Sequence, residues 1–300
     1  MRIHVFVLVA LLASCSLFNK HSLLAGNQLK VYISVDMEGI AGVVAADQVR
    51  AGGLDYQLAR RWTTQEANAA ILGALDAGAT EIVVNDSHGG MRNLIASEIH
   101  PAARLITGSP KPLSMMEGID SSFDAVIFIG YHTWAGSFDG VLDHTYSSAS
   151  VYSVRVNGIE MGEAQVNALI AGYFGVPVVM VAGDENFCIQ ARETFGDYLV
   201  TAAVKQAIGR TAANTLTPEV AQDLIREKVR EALQHTDRAK PKLPETSTTF
   251  DVEFLYSSQA QSAELIPGVT RTSPRSVSFT HDDFIEAFKL FRAVLLVARD

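Results

Sequence analysis

Short apolar runs alternate along this chain with longer segments in which apolar residues recur every three or four positions. The short β-branched runs predict strands, and the longer amphipathic segments predict helices. The predicted strands cover residues 31–35, 81–85, 104–107, 124–130, 151–156, 177–182, 199–204 and 248–255, and the predicted helices cover 63–76, 160–173, 186–194, 217–234 and 282–298. Strand, helix and strand at this spacing are typical of βαβ units. We therefore predict an α/β fold with a doubly wound, mostly parallel sheet.

Local signals support several of these boundaries. Thr63 and Thr64 are suited to cap a helix that Gly78 ends, and Thr217 before Pro218 is a second helix start. Asn157-Gly158 after the 151–156 strand is a hairpin signal. A Lys- and Pro-rich linker at 239–244 then suggests a boundary. We expect an α/β domain over 30–239 and a second, smaller α+β domain over 240–300.

The first residues are typical of an export signal. Arg2 precedes the apolar run 5–12, which is too short for a permanent membrane span. The sequence LASC at 12–15 resembles a bacterial lipobox, which predicts a signal peptide over 1–14, a lipidated Cys15 and a tether over 15–29. Ser16 after Cys15 favours the outer membrane, facing the periplasm. The alternative is an ordinary signal peptide with an incidental cysteine.

Charge and cysteine content exclude some functions. The formal net charge of −9 becomes −10 without residues 1–14, which contain Arg2 and no acid. This argues against a nucleic-acid partner, because binding phosphates needs a basic surface. Apart from Cys15 the chain has only Cys188, which we interpret as a buried small apolar residue. A metal would therefore be held by histidine and carboxylate.

Side chains that can bind metals follow three of the predicted strands. Asp36 and Glu38 follow the first, His88 follows the second and His132 follows the 124–130 strand. Ligands of open α/β sheets bind outside the carboxyl ends of the strands, so these residues are expected to meet at one edge. Glu163, at a helix start, is a further candidate, although a first-turn glutamate also complements the helix dipole. His144 lies in a Gly-rich loop, where a lone histidine is usually just solvated.

Five nitrogen and oxygen ligands exceed the needs of one tetrahedral zinc with an open position. They suit a two-metal hydrolytic centre, with zinc favoured over manganese or cobalt. An acid followed by glycine is also common turn chemistry, so no single motif here is specific.

The motifs together closely resemble the bacterial zinc-dependent D-aminopeptidase family. They are SVDMEG at 34–39, VNDSH at 84–88, GYH at 130–132, the His144 loop, and GE at 162–163 followed by Asn167, with support from 112–118, 178–184 and 201–206. The resemblance covers nearly the whole chain after about residue 30. In one departure, the loop between His132 and His144 is one residue longer here.

The resemblance implies two zinc ions per chain, with Asp36 bridging, Glu38 and His88 on one ion, and His132 and Glu163 on the other. It implies a catalytic role for His144 and a ring-shaped homo-oligomer. The expected reaction removes an amino-terminal residue, expected to be a D-amino acid, from short peptides with a metal-activated water. From the export signal we also expect an enzyme that is attached to the membrane of the bacterial envelope through its lipid anchor only. The competing hypotheses are a peptide- or metal-binding lipoprotein receptor and a two-metal phosphoesterase.

Overall fold

The computed structural model describes residues 28–298 of the chain. The predictions for the signal peptide and Cys15 concern residues outside this range. The strands in the described part are β1 Leu29–Val35, β2 Ala79–Asp86, β3 Ala103–Ile106, β4 Ala125–Tyr131, β5 Val151–Val156, β6 Ile159–Glu160, β7 Val178–Asp184, β8 Val200–Gly209, β9 Ala212–Thr215, β10 Thr248–Phe254, β11 Thr270–Arg271 and β12 Ser276–His281. The α-helices are α1 Ala46–Val49, α2 Tyr56–Asp76, α3 Glu163–Tyr173, α4 Glu185–Phe195, α5 Pro218–Leu233, α6 Ser257–Ala263 and α7 Phe284–Val297.

The first sheet has the strand order β3-β2-β1-β4-β7-β8-β9. All neighbouring pairs are parallel except β8 and β9, which form an antiparallel hairpin at the edge. The order reverses direction at β1, where β2 lies on one side and β4 on the other. The predicted doubly wound, mostly parallel sheet is confirmed.

The second sheet is antiparallel, in the order β11-β12-β10-β5-β6. Asn157 and Gly158 both have positive φ in the β5–β6 turn, as the predicted hairpin requires. This sheet takes β5 and β6 from the chain before residue 240, so its strands are not confined to the segment after the linker. The boundary at residue 240 stays a prediction.

The central strands β1, β4 and β7 are buried on both faces of the first sheet, since their apolar side chains point alternately to the two sides and both sides are covered. On one side, Ile33 of β1 shares an apolar core with residues of α2 and α5. On the other side, Tyr32 of β1 belongs to a core that also contains Leu169 of α3, Phe250 of the second sheet and Phe291 of α7. A continuous apolar layer therefore fixes the second sheet and α7 to the first sheet.

The start predicted for the first long helix was wrong. Helix α2 begins at Tyr56 rather than Thr63, and the two threonines lie inside it. The hydroxyls of Thr63 and Thr64 donate to the carbonyls of Ala59 and Arg60, at 2.9 and 2.7 Å. A threonine hydroxyl that donates to the carbonyl four residues earlier is satisfied inside a helix, so these threonines do not mark the helix start. Helix α3 likewise begins at Glu163, three residues after the predicted start.

None of the helices between residues 28 and 298 combines the length and apolar character needed to cross a bilayer.

Candidate active site

Asp36 and Glu38 converge at the carboxyl end of β1. The strand ends at Val35, and the chain then turns, so the two carboxylates meet through a bend rather than through strand alternation. The amide of Gly39 donates to the carbonyl of Gly130 at 2.7 Å, and a Cβ at Gly39 would overlap the Tyr131 carbonyl. Gly39 therefore permits a close approach of the β1 and β4 ends that no larger residue would allow.

His88, after β2, faces both carboxylates. Its Nδ1 lies 3.1 Å from Oδ1 of Asp36 and 3.0 Å from Oε2 of Glu38. Its Nε2 lies 2.7 Å from the carbonyl oxygen of Val49. A carbonyl can only accept, so Nε2 carries the proton and Nδ1 is directed at the carboxylates.

His132, His144 and Glu163 form a second group beside the first. The rings of His132 and His144 stack with centroids 4.2 Å apart. The Nε2 atom of each lies 3.6 Å from Oε1 of Glu163. Glu163 is the first residue of α3, and its Oε1 also accepts from the amide of Tyr146 at 2.7 Å.

The two triads, Asp36–Glu38–His88 and His132–His144–Glu163, each place three ligand atoms within 4.8 Å of one another. They meet where Oδ2 of Asp36 lies 3.5 Å from Nε2 of His132. Both atoms are buried and lack a hydrogen-bond partner among the described residues. A cation bound between these two buried polar atoms would satisfy both of them.

The imidazoles are held as metal ligands usually are. The Nδ1 atoms of His132 and His144 each lie 2.9 Å from a backbone carbonyl, of Thr133 and Leu142 respectively. Together with His88, all three histidines are thus oriented by a carbonyl at one ring nitrogen and direct the other at carboxylates. This donor set, imidazole and carboxylate without thiolate, fits zinc.

The buried carboxylates and imidazoles of the two triads strongly shift one another's pKa values. Burial alone would raise the pKa of Glu38, but the neighbouring His88 imidazole holds that pKa well below its usual range. Burial alone would lower the pKa of His132, but Asp36 and Glu163 raise it to about 10. The buried carboxylates therefore demand positive charge nearby, which either a metal ion or protons on the imidazoles can supply.

A buried hydrogen-bond network lies beneath the triads. The Ser34 hydroxyl contacts the hydroxyls of Ser87 and Tyr131, at 2.6 and 2.7 Å, and the Asn167 amide donates to Tyr131 at 3.0 Å. Each member lies one to four residues from a triad residue in the sequence. The network therefore ties together the four elements that carry the site: β1, β4, α3 and the end of β2.

Lys205, on β8, fixes the segment that carries Glu38. Its buried ammonium donates to the carbonyls of Glu38, Ile40 and Val43, at 2.5, 2.9 and 2.6 Å. Sequence reasoning did not select Lys205. The available signal was a lysine directly after the apolar run 200–204, at the carboxyl end of a predicted strand and so at the same sheet edge as the other candidates.

All six residues predicted within the described range come together, namely Asp36, Glu38, His88, His132, His144 and Glu163. Their individual roles stay predictions, and the structure places His144 among the possible ligands. Cys15 lies outside the described residues. Cys188 is buried, as predicted, and burial raises its pKa to about 12, which disfavours a thiolate nucleophile.

Comparison with known proteins agrees with this geometry. The sequence profile of the D-aminopeptidase family matches residues 29–293. A D-aminopeptidase of Bacillus subtilis strain 168 is 42% identical over 265 residues, which are 87% of this chain and 94% of the relative. The solved structure described as "Zn-dependent D-aminopeptidase DppA from Bacillus subtilis, a self-compartmentalizing protease" superposes with a TM-score of 0.87 at 39% identity, covering 90% of this chain and 98% of that one. The chain therefore belongs to the D-aminopeptidase family.

Proposed function

We propose that this protein is a binuclear zinc aminopeptidase that removes an amino-terminal D-amino acid from short peptides. The observation that carries the proposal is the pair of triads joined at Asp36 and His132. Asp36 directs one carboxylate oxygen at His88 and the other at His132, which suits a carboxylate shared by two ions. Zinc, when bound, supplies a Lewis acid and lowers the pKa of a water.

The residues divide the remaining tasks. Glu38 and His88 would hold one ion with Asp36, and His132 and Glu163 would hold the other. His144 presents Nε2 at the edge of the second triad, with its ring fixed by the Leu142 carbonyl. From there it can hold a proton for the leaving amine or stabilise the oxyanion, and its alternative role is that of a third ligand.

The substrate and the assembly are inferred from the relatives. The B. subtilis relatives are described as D-aminopeptidases, and the solved structure is described as self-compartmentalizing. We infer short D-peptide substrates and a ring-shaped homo-oligomer for this chain as well. Carboxylates that crowd the cavity suit the positive amino terminus of such a peptide.

We also propose that the enzyme is exported and anchored in the bacterial envelope through Cys15, at the outer membrane facing the periplasm. The support is the sequence of residues 1–16 alone. Radiolabelled palmitate would be incorporated by the wild-type chain and not by Cys15→Ser. Equal labelling of the two proteins would contradict the lipid anchor.

Zinc analysis and paired peptide assays test the enzymatic proposal. We expect about two zinc ions per chain, chelator-sensitive cleavage, and faster hydrolysis of D-Ala-D-Ala than of L-Ala-D-Ala. Tightly bound zinc with no cleavage of either peptide would favour the receptor or the phosphoesterase. Preference for the L-residue would overturn the stereochemical assignment while leaving the aminopeptidase intact.

A further inference from the structure

The cavity over the two triads carries both signs of charge on its walls. It has a volume of about 990 Å³ and is lined by Asp36, Glu38 and Glu163 together with three arginines, Arg50, Arg92 and Arg292. None of the three guanidinium groups belongs to a triad. In a chain of net charge −9, a cavity that combines carboxylates with arginines suits a ligand with both charges.

Arg292 is the arginine best placed to bind such a ligand. Arg50 and Arg92 are exposed. Arg292 is half-buried on α7, whose Phe288 and Phe291 anchor the helix in the core. Solvent screens a half-buried guanidinium less than an exposed one, so the electrostatic attraction between Arg292 and a bound carboxylate is stronger.

One residue connects Arg292 to the triads. The Arg292 guanidinium carbon lies 5.6 Å from the centre of the Tyr146 ring, and the Tyr146 amide donates to Glu163. Tyr146 has a positive φ of 57°, an uncommon conformation for a bulky residue. Its ring packs edge-on against Phe291, with centroids 5.0 Å apart. Tyr146 therefore links Arg292 to the second triad, and Arg292 and Glu163 line the same cavity.

A short peptide matches this cavity in both length and charge. Two extended residues span about 7 Å, and the ends of the molecule carry an amine and a carboxylate. An amine placed at the triads directs the carboxylate of a dipeptide or tripeptide along the cavity. Guanidinium binds carboxylate through two parallel hydrogen bonds, which fixes orientation as well as adding affinity.

We propose that Arg292 binds the C-terminal carboxylate of the substrate, so that the enzyme selects short peptides with a free carboxyl terminus. This inference rests on the proposed aminopeptidase function and deepens it. Arg292 would then be a specificity-determining residue. It lies on α7, which packs with the second sheet, whereas the candidate metal ligands lie at the edge of the first sheet.

The test compares D-alanyl-D-alanine with D-alanyl-D-alanine amide, which lacks only the carboxylate charge. The zinc-loaded wild type should show a kcat/KM for the acid that is roughly ten- to a hundredfold above that for the amide. Arg292→Gln should bring that ratio to within about threefold, chiefly through KM for the acid, and Arg292→Lys should retain part of it. Arg155→Gln, at an exposed position of β5, is the matched control and should keep the wild-type ratio.

Each outcome bears on a separate claim. A wild-type ratio near one would overturn the carboxylate site even if both substrates are cleaved, and it requires no variant to fold. Equal losses on acid and amide in Arg292→Gln would also overturn it. Cleavage of neither substrate by the zinc-loaded wild type would instead refute the aminopeptidase function, and the inference with it.

Discussion

Replacing Lys205 with methionine tests whether a buried ammonium positions the candidate ligand Glu38. Methionine keeps an unbranched apolar chain but removes the three donors to the carbonyls of Glu38, Ile40 and Val43. These carbonyls belong to the segment 36–45, which is neither helix nor strand. Lys205 therefore joins three points of this segment through a single buried ammonium.

The loss of folding stability in Lys205→Met can be estimated from these contacts. Hydrogen bonds to a charged group contribute roughly 1.5–3 kcal/mol each, so three of them set an upper range of about 4.5–9 kcal/mol. The lysine also loses solvation on burial, which lowers its pKa to about 8 although Asp184 and Glu66 attract it. Removing one member of a buried charge group costs about 3–5 kcal/mol, and we expect this lower range for Lys205→Met.

Two measurements separate positioning from general stability. Urea unfolding of the metal-stripped protein gives the free energy of unfolding, and competition with a chromophoric chelator gives the zinc affinity. Lys205→Met should lower the zinc affinity roughly ten- to a hundredfold, as loss of groups that orient metal ligands does. Lys289→Met, at an exposed position on α7, is the control for charge. A loss below about 1 kcal/mol with normal zinc affinity would refute the positioning role.

Three further changes test other parts of the site. Tyr131→Phe removes a hydroxyl with two buried partners, so it should lower the free energy of unfolding by about 1–3 kcal/mol and weaken zinc binding roughly tenfold. Tyr173→Phe removes an exposed hydroxyl and should change neither quantity. Normal zinc affinity in Tyr131→Phe would contradict this. Burial raises the pKa of Glu66 to about 7, above that of the unfolded chain, so ionisation destabilises the fold as the pH rises from about 4.5 to 7. In urea unfolding of the metal-stripped proteins, the free energy of unfolding of the wild type should fall by up to about 3 kcal/mol relative to Glu66→Gln over that pH range. Glu227→Gln is the exposed control. A difference between wild type and Glu66→Gln that does not change with pH would refute the role of Glu66. His144→Ala should lower kcat roughly 10²- to 10⁴-fold with zinc content near normal, and loss of zinc as well would make His144 a ligand instead.

The sheet and its ligand edge could be predicted because their signals are local. The β-branched run at 31–35 indicates a buried strand, and residues directly after such strands fall at one edge whatever the exact register. That rule alone places Asp36, His88 and His132 together. Helix starts were less predictable, since Thr63 can be satisfied inside a helix as well as at its cap.

The second sheet could not be predicted, because its pairing joins distant parts of the chain. Val154 of β5 lies opposite Val252 of β10, and nothing in either strand specifies the other. Arg292 was missed for the same reason. Its helix was predicted, but the packing that brings α7 over Tyr146 depends on the second sheet.

The polar network beneath the site explains how separate strand ends become one metal-binding unit. Strand ends alone would leave each ligand on an independent loop. Ser34 and Tyr131 are 97 positions apart, yet their hydroxyls meet at 2.7 Å, and each lies within two residues of a predicted ligand. Because a buried hydroxyl left without a partner is costly, displacement of any one element would leave others unsatisfied. The network therefore couples the ligand-bearing elements, so that the carboxylates and imidazoles are held facing one another before metal binds.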